Sequence, residues 1–169
     1  HRFLFGRGMI SDDTEHTLFV AQALLAHRDD VRAFQRCLAW KLRWWFLALP
    51  AGVGLATARA CVRLWLGFPA SRSGVFSAGN GPAMRSAIIG AVFASDAGRR
   101  REFVAASTRL THTDARAEIA ALAVAEAAAW IAVAAEVTRL NFWPGAPLRN
   151  LFFLLVVLWH GFRRLFPPY

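Results

Sequence analysis

From Asp114 to Glu136 the chain runs without a glycine or proline and is dominated by alanine, and this stretch limits the fold more than any other. Alanine is the strongest helix former, and its small side chain lets a helix press closely against its neighbours. Thr113 or Asp114 supplies the side-chain oxygen that caps such a helix at its start. A long Ala-rich helix of this kind belongs in a helical bundle rather than under a sheet. The expected class is therefore all-α, an orthogonal multi-helix bundle rather than a regular four-helix array.

The rest of the chain agrees. Thr14, Leu18, Ala21 and Leu25 recur at helical spacing and predict a helix over Asp12 to His27, with those four on one face. Val31 to Leu49 reads as an aromatic-rich helix stopped by Pro50, and Val53 to Leu66 as a third, closed by Gly67 and Pro69. Ser71 to Gly74 is a loop, and Val75 to Gly81 suits neither regular state. Ala83 to Ala94 and Arg99 to Ser107 predict two more helices, with Pro82 accepted in the first turn of the former. Residues 1–140 thus form one helical domain. Asn141 to Pro147 is a linker, and Arg149 to Leu165 a last apolar helix.

Hydrophobic residues make up 56% of the chain, above the ~45–50% of ordinary soluble domains, so a membrane span has to be weighed. Leu47 to Ala58 is interrupted by Pro50, Gly52 and Gly54. Leu151 to Trp159 falls well short of the ~20 residues a spanning helix needs. Buried helices are expected, with surface attachment the remaining membrane role. The net charge is +9, nearly all of the basic residues being arginine, which suits anionic, phosphate-bearing ligands through its planar fork. Only Arg99-Arg100-Arg101 and Arg163-Arg164 cluster, so no nucleic-acid partner is expected. Cys37 and Cys61 stand alone, the pattern of free thiols in a reducing compartment, and a cytoplasmic location follows. The chain opens at His1 rather than Met, as a fragment or processed product does.

Three short stretches carry the chemistry. Ser11-Asp12-Asp13-Thr14 puts two adjacent carboxylates and a hydroxyl at a helix start. Like charges so close need compensation, either from the helix N-terminus or from a hard cation such as Mg²⁺ or Mn²⁺. Taken alone, the cluster reads as a capped first turn. Ser77-Ala78-Gly79-Asn80-Gly81-Pro82-Ala83-Met84-Arg85 flanks an asparagine with glycines that allow close backbone approach, just before a helix start that offers free N–H groups to an anion. Taken alone, it reads as an entry turn. Thr111-His112-Thr113-Asp114 places a histidine where it can face a cleft, although alone it reads as a capping turn.

In this order and spacing, Ser-Asp-Asp-Thr, Gly-Asn-Gly-x-x-Met-Arg and Thr-His-x-Asp resemble the ADP-ribosylglycohydrolase family, which includes the dinitrogenase reductase-activating glycohydrolase. The resemblance covers roughly residues 8–136. It implies an all-α enzyme with a pair of Mg²⁺ or Mn²⁺ ions, hydrolysing the bond from ADP-ribose to a protein side chain or small-molecule acceptor. By that resemblance Ser11, Asp12 and Asp13 hold metal, with Asp12 and Asp13 the catalytic pair. Ser77, Gly79, Asn80 and Gly81 bind the diphosphate and adjoining ribose, and His112 lines the cleft near the ribose.

Two elements of the family pattern are missing. An Asp-x-Asp-Thr type motif near the C-terminus is absent, since no carboxylate follows Glu136, and so is the amino-terminal acidic motif. The complete protein is then an ADP-ribosyl hydrolase from which an acidic segment is lost here, or the chain is a degenerate ADP-ribose-binding protein. A reading of another class makes it a membrane-surface scaffold that uses Trp44, Trp45, Trp65, Trp159 and its arginines.

Overall fold

The computed structural model describes residues 11–50 and 52–141. Among them lie seven α-helices: α1 (Asp12–His27), α2 (Val31–Leu47), α3 (Leu55–Trp65), α4 (Gly81–Met84), α5 (Ala87–Val92), α6 (Ala97–Arg109) and α7 (Ala115–Asn141). A 3-10 turn spans Ala70–Arg72, and the extended structure among these residues is a single parallel bridge between Val75 and His112. The class is all-α, as expected. The expected linker beyond Asn141 and the helix Arg149 to Leu165 lie outside the described residues.

Local chemistry sets the helix starts. The hydroxyl of Ser11 accepts from the N–H of Thr14, and Asp12, Asp13 and Glu15 fill the first turn of α1, where the dipole favours acids. Asp30 caps α2 by accepting from Arg32 and Ala33, and Asp96 caps α6 by accepting from Arg99. Helix α2 ends at Leu47, two residues before the expected stop, and Leu49 takes up a left-handed φ of 52° ahead of Pro50.

The buried face of α1 is not the one that carries Thr14, Leu18, Ala21 and Leu25. His16, Val20, Ala23 and Leu24 point inward, whereas Leu18 and Leu25 are exposed and Thr14 faces solvent. Apolar residues surround much of this helix, so period alone does not select a face, and the inward-facing position is held by a histidine. The expected helix Ala83 to Ala94 is also broken in two. At the break Arg85 leaves helical geometry to send its side chain into the core, and the hydroxyl of Ser86 donates to the carbonyl of Pro82.

Helix α7 packs against α4, α5 and α6. Its contact stripe is Ala117, Ala121, Ala125 and Ala129, one residue per turn and all buried. Gly90 of α5 meets this stripe so closely that a Cβ there would collide with the carbonyl oxygen of Ala125. Ala115–Thr138 is long and apolar enough to cross a bilayer by length and composition, and in this fold its alanine stripe forms one wall of the bundle. Between α2, α5 and α6 the core is aromatic: Phe103 lies between Phe34 and Phe93, with ring centroids 5.0 and 4.7 Å away. The arginine run divides, Arg99 reaching Asp29 at the surface and Arg100 turning inward to a bidentate pair with Glu126.

Candidate functional site

The loop before α4 is fixed onto the turn between α6 and α7. Val75 donates to the carbonyl of Thr111, and Thr113 donates back to the carbonyl of Val75. Ser73 donates to the carbonyl of Leu110, and Arg63 donates to the carbonyl of Gly74. Gly74 is obligatory here, because a Cβ would collide with the carbonyl oxygen of Arg109. This clamp brings Ser77 to Gly81 over His112. The N–H of Gly79 donates to the hydroxyl of Ser77, and both Gly79 and Gly81 lie close against the imidazole of His112. On the other side, Thr17 bonds the carbonyl of Met84 and ties α1 to α4.

Between these pieces lies a cavity of about 380 Å³, within the roughly 300–1,000 Å³ typical of small-molecule sites. Asp12 and Asp13 form one side, Ser77, Gly79, Asn80 and Gly81 another, and His112 lies beneath. All three expected stretches therefore contribute to one cavity. Ser11 stands at the same helix end but is not among the lining residues, and its hydroxyl is occupied in capping Thr14. His16, Trp45, Thr57 and Met84 complete the walls. A larger cavity of about 470 Å³ lies between α6 and α7, but its floor is the Arg100–Glu126 pair, whose guanidinium also bonds the carbonyls of Phe93 and Ala94. Its strongest polar groups are already satisfied.

Sequence reasoning singled out neither His16 nor the inward role of Arg85. Arg85 is 0% exposed, and it donates to the hydroxyl and carbonyl of Ser107 and to the hydroxyl of Thr111. No carboxylate pairs with it among the described residues, so an uncancelled positive charge sits behind the cavity floor. Burial lowers its pKa to about 10, which leaves it charged at neutral pH. Burial first, and then the charge of Arg85, pull His16 down to about 3 and His112 to about 4. Both rings are neutral at neutral pH. The cavity thus combines two acids at one end, two neutral imidazoles and a buried cation behind them.

Among the described residues, the acids that line the cavity are Asp12 and Asp13. Asp12 and Asp13 offer hard oxygen ligands at the cavity rim. Glu15, in the same first turn of α1, accepts from the indole of Trp45, and no cluster of three metal-ligating side chains occurs among the described residues.

These features make a polar cleft between helices, lined by paired acids, a glycine-flanked asparagine turn and two imidazoles. The family model for ADP-ribosylglycohydrolases matches residues 1–149, and the chain belongs to that family. Over 123 residues it is 34% identical to an uncharacterized protein of Archaeoglobus fulgidus, a match covering 72% of this chain and 39% of that protein. The match therefore spans well under half the length of this relative.

Proposed function

We propose that this chain carries the ADP-ribose-binding part of an ADP-ribosyl hydrolase active site. One observation carries the reading: the paired aspartates, the Gly-Asn-Gly turn and His112, far apart in sequence, line a single cavity. The backbone N–H groups of Asn80 and Gly81 at the start of α4 and the buried charge of Arg85 suit a diphosphate, and Asp12 and Asp13 suit the sugar end. In hydrolysis of a glycosidic bond the sugar carbon gains positive charge, and these two carboxylates stand to stabilise it. Grip on the remote diphosphate orients the reacting bond against them. A Mg²⁺ or Mn²⁺ ion held by Asp12 and Asp13 would supply Lewis acidity to the sugar oxygens.

With two acids lining the cavity among the described residues and no carboxylate after Glu136, these 169 residues bind ligand and turn over slowly or not at all. Hydrolysis of ADP-ribosylated proteins or small molecules is the activity proposed for a whole-length protein carrying further acids. Calorimetry with ADP-ribose, with and without Mg²⁺, tests this reading. Saturable binding that Asn80→Ala weakens supports it, and an enthalpic response to Mg²⁺ that Asp13→Ala removes supports the metal assignment. No binding, or rapid hydrolysis by this chain alone, contradicts it.

The scaffold alternative rests on a tryptophan surface. Trp40, Trp44 and Trp65 do form an exposed ladder, with centroids 5.5 and 5.4 Å apart, but Trp45 is buried in the cavity wall.

A further inference from the structure

The roles above leave His16 unused, although it lines the cavity. His16 is 1% exposed and lies one turn beyond Asp12 on α1, facing the same cavity. The edge of Trp45 meets its ring at 4.4 Å, and Phe19 lies behind at 6.3 Å. Nδ1 faces Nη1 of Arg85 at 3.4 Å. A guanidinium has donors only, so Nδ1 is the acceptor and the ring proton sits on Nε2. Nε2 is buried and has no hydrogen-bond partner among the described residues. Orphaned buried donors are rare in folded proteins and call for a physical reason.

We propose that His16 is a ligand-binding residue of this cavity, its Nε2–H donating to a ribose oxygen of the bound nucleotide sugar, with Arg85 the positioning residue that fixes the ring. The position along α1 selects the sugar end: the same helix face presents Asp12 and Asp13. Met84 shares the cavity wall, and its unbranched thioether can yield as a ligand enters. The charge state selects the ligand atom. A neutral N–H takes an oxygen acceptor and, unlike an imidazolium, does not pair ionically with the adjacent carboxylates. The inference rests on the ADP-ribose reading of the cavity.

The test is nuclear magnetic resonance of the full chain labelled with ¹⁵N-histidine, combined with calorimetry on variants. In the free protein the ring nitrogens of His16 should report a bare Nδ1 and a protonated Nε2. At saturation with ADP-ribose the Nε2 proton should move downfield and exchange more slowly. His16→Phe, which keeps a flat ring without the donor, should weaken ADP-ribose binding about tenfold, the loss expected for one hydrogen bond to a buried neutral group. His16→Gln, whose amide can accept from Arg85 and donate onward, should restore most of that affinity. An Nδ1–H tautomer, or an unmoved Nε2 resonance at saturation, overturns the assignment while leaving ADP-ribose binding intact. Failure of the unmodified chain to bind ADP-ribose at all overturns both this assignment and the cavity reading beneath it.

Discussion

The backbone of Gly79 passes so close to His112 that a Cβ on the glycine would stand 3.0 Å from Nε2 of the imidazole. Gly81 has the same relationship to Cε1 of that ring, also at 3.0 Å. The two glycines let the asparagine turn rest on the histidine. Gly79→Ala and Gly81→Ala should therefore displace the ring from the cavity floor while leaving the core packing untouched. ADP-ribose affinity should fall about tenfold with a stability change within roughly 1 kcal/mol, read by calorimetry and urea unfolding.

Gly90 should behave in the opposite way. Its missing Cβ would run into the backbone of Ala125 rather than into a movable side chain. Gly90→Ala must push α5 away from α7, and a loss of about 2–3 kcal/mol is expected from overpacking at a rigid contact. Gly54→Ala, with nothing within 4 Å of the added carbon, is the control and should change the urea midpoint little.

Much of the fold was legible because it rests on local rules. Ser11, Asp30 and Asp96 are capping residues that any helix start of this kind uses, and the alanine run of α7 admits no other regular structure. The three site stretches were legible as a set because they keep a family's order, while each alone reads as an ordinary cap or turn. What escaped was long-range. The face of α1 turns on His16 being drawn inward to Arg85 and Trp45, contacts that periodicity does not encode. The break between α4 and α5 has the same origin, since Arg85 leaves the helix to reach Ser107 and Thr111 more than twenty residues away. A histidine one turn after paired aspartates was the available signal.

The buried imidazoles make stability depend on pH in a defined direction. His16 and His112 are neutral when folded, with pKa values near 3 and 4, but titrate near 6.5 when unfolded. Below that point the unfolded chain binds more protons, so stability is fully present above pH 6.5 and is lost as the pH falls toward the folded values. Together the two should remove roughly 3 kcal/mol between pH 6.5 and about pH 5, measured as urea midpoints along a pH series. A flat profile over this window would show that the rings are not held neutral.

Removing Arg85 separates its two effects. Arg85→Met deletes the hydrogen bonds to Ser107 and Thr111 and strands their buried oxygens, at a cost of about 2–4 kcal/mol. The pKa values of His16 and His112 should rise as the nearby charge disappears, yet stay below the ordinary histidine value, because burial is the larger cause. Proton titration followed by nuclear magnetic resonance distinguishes this from full recovery, which would mean that the guanidinium charge, and not burial, holds the rings neutral.

The convergence of three stretches on one ligand is tested most directly by titrating ¹⁵N-labelled protein with ADP-ribose in the presence of Mg²⁺ and following the backbone amides. The amides of Asp13, Gly79, Gly81 and His112 should shift together and saturate along one binding curve. Shifts confined to surface arginines, or affecting only one of the three stretches, would contradict a shared site.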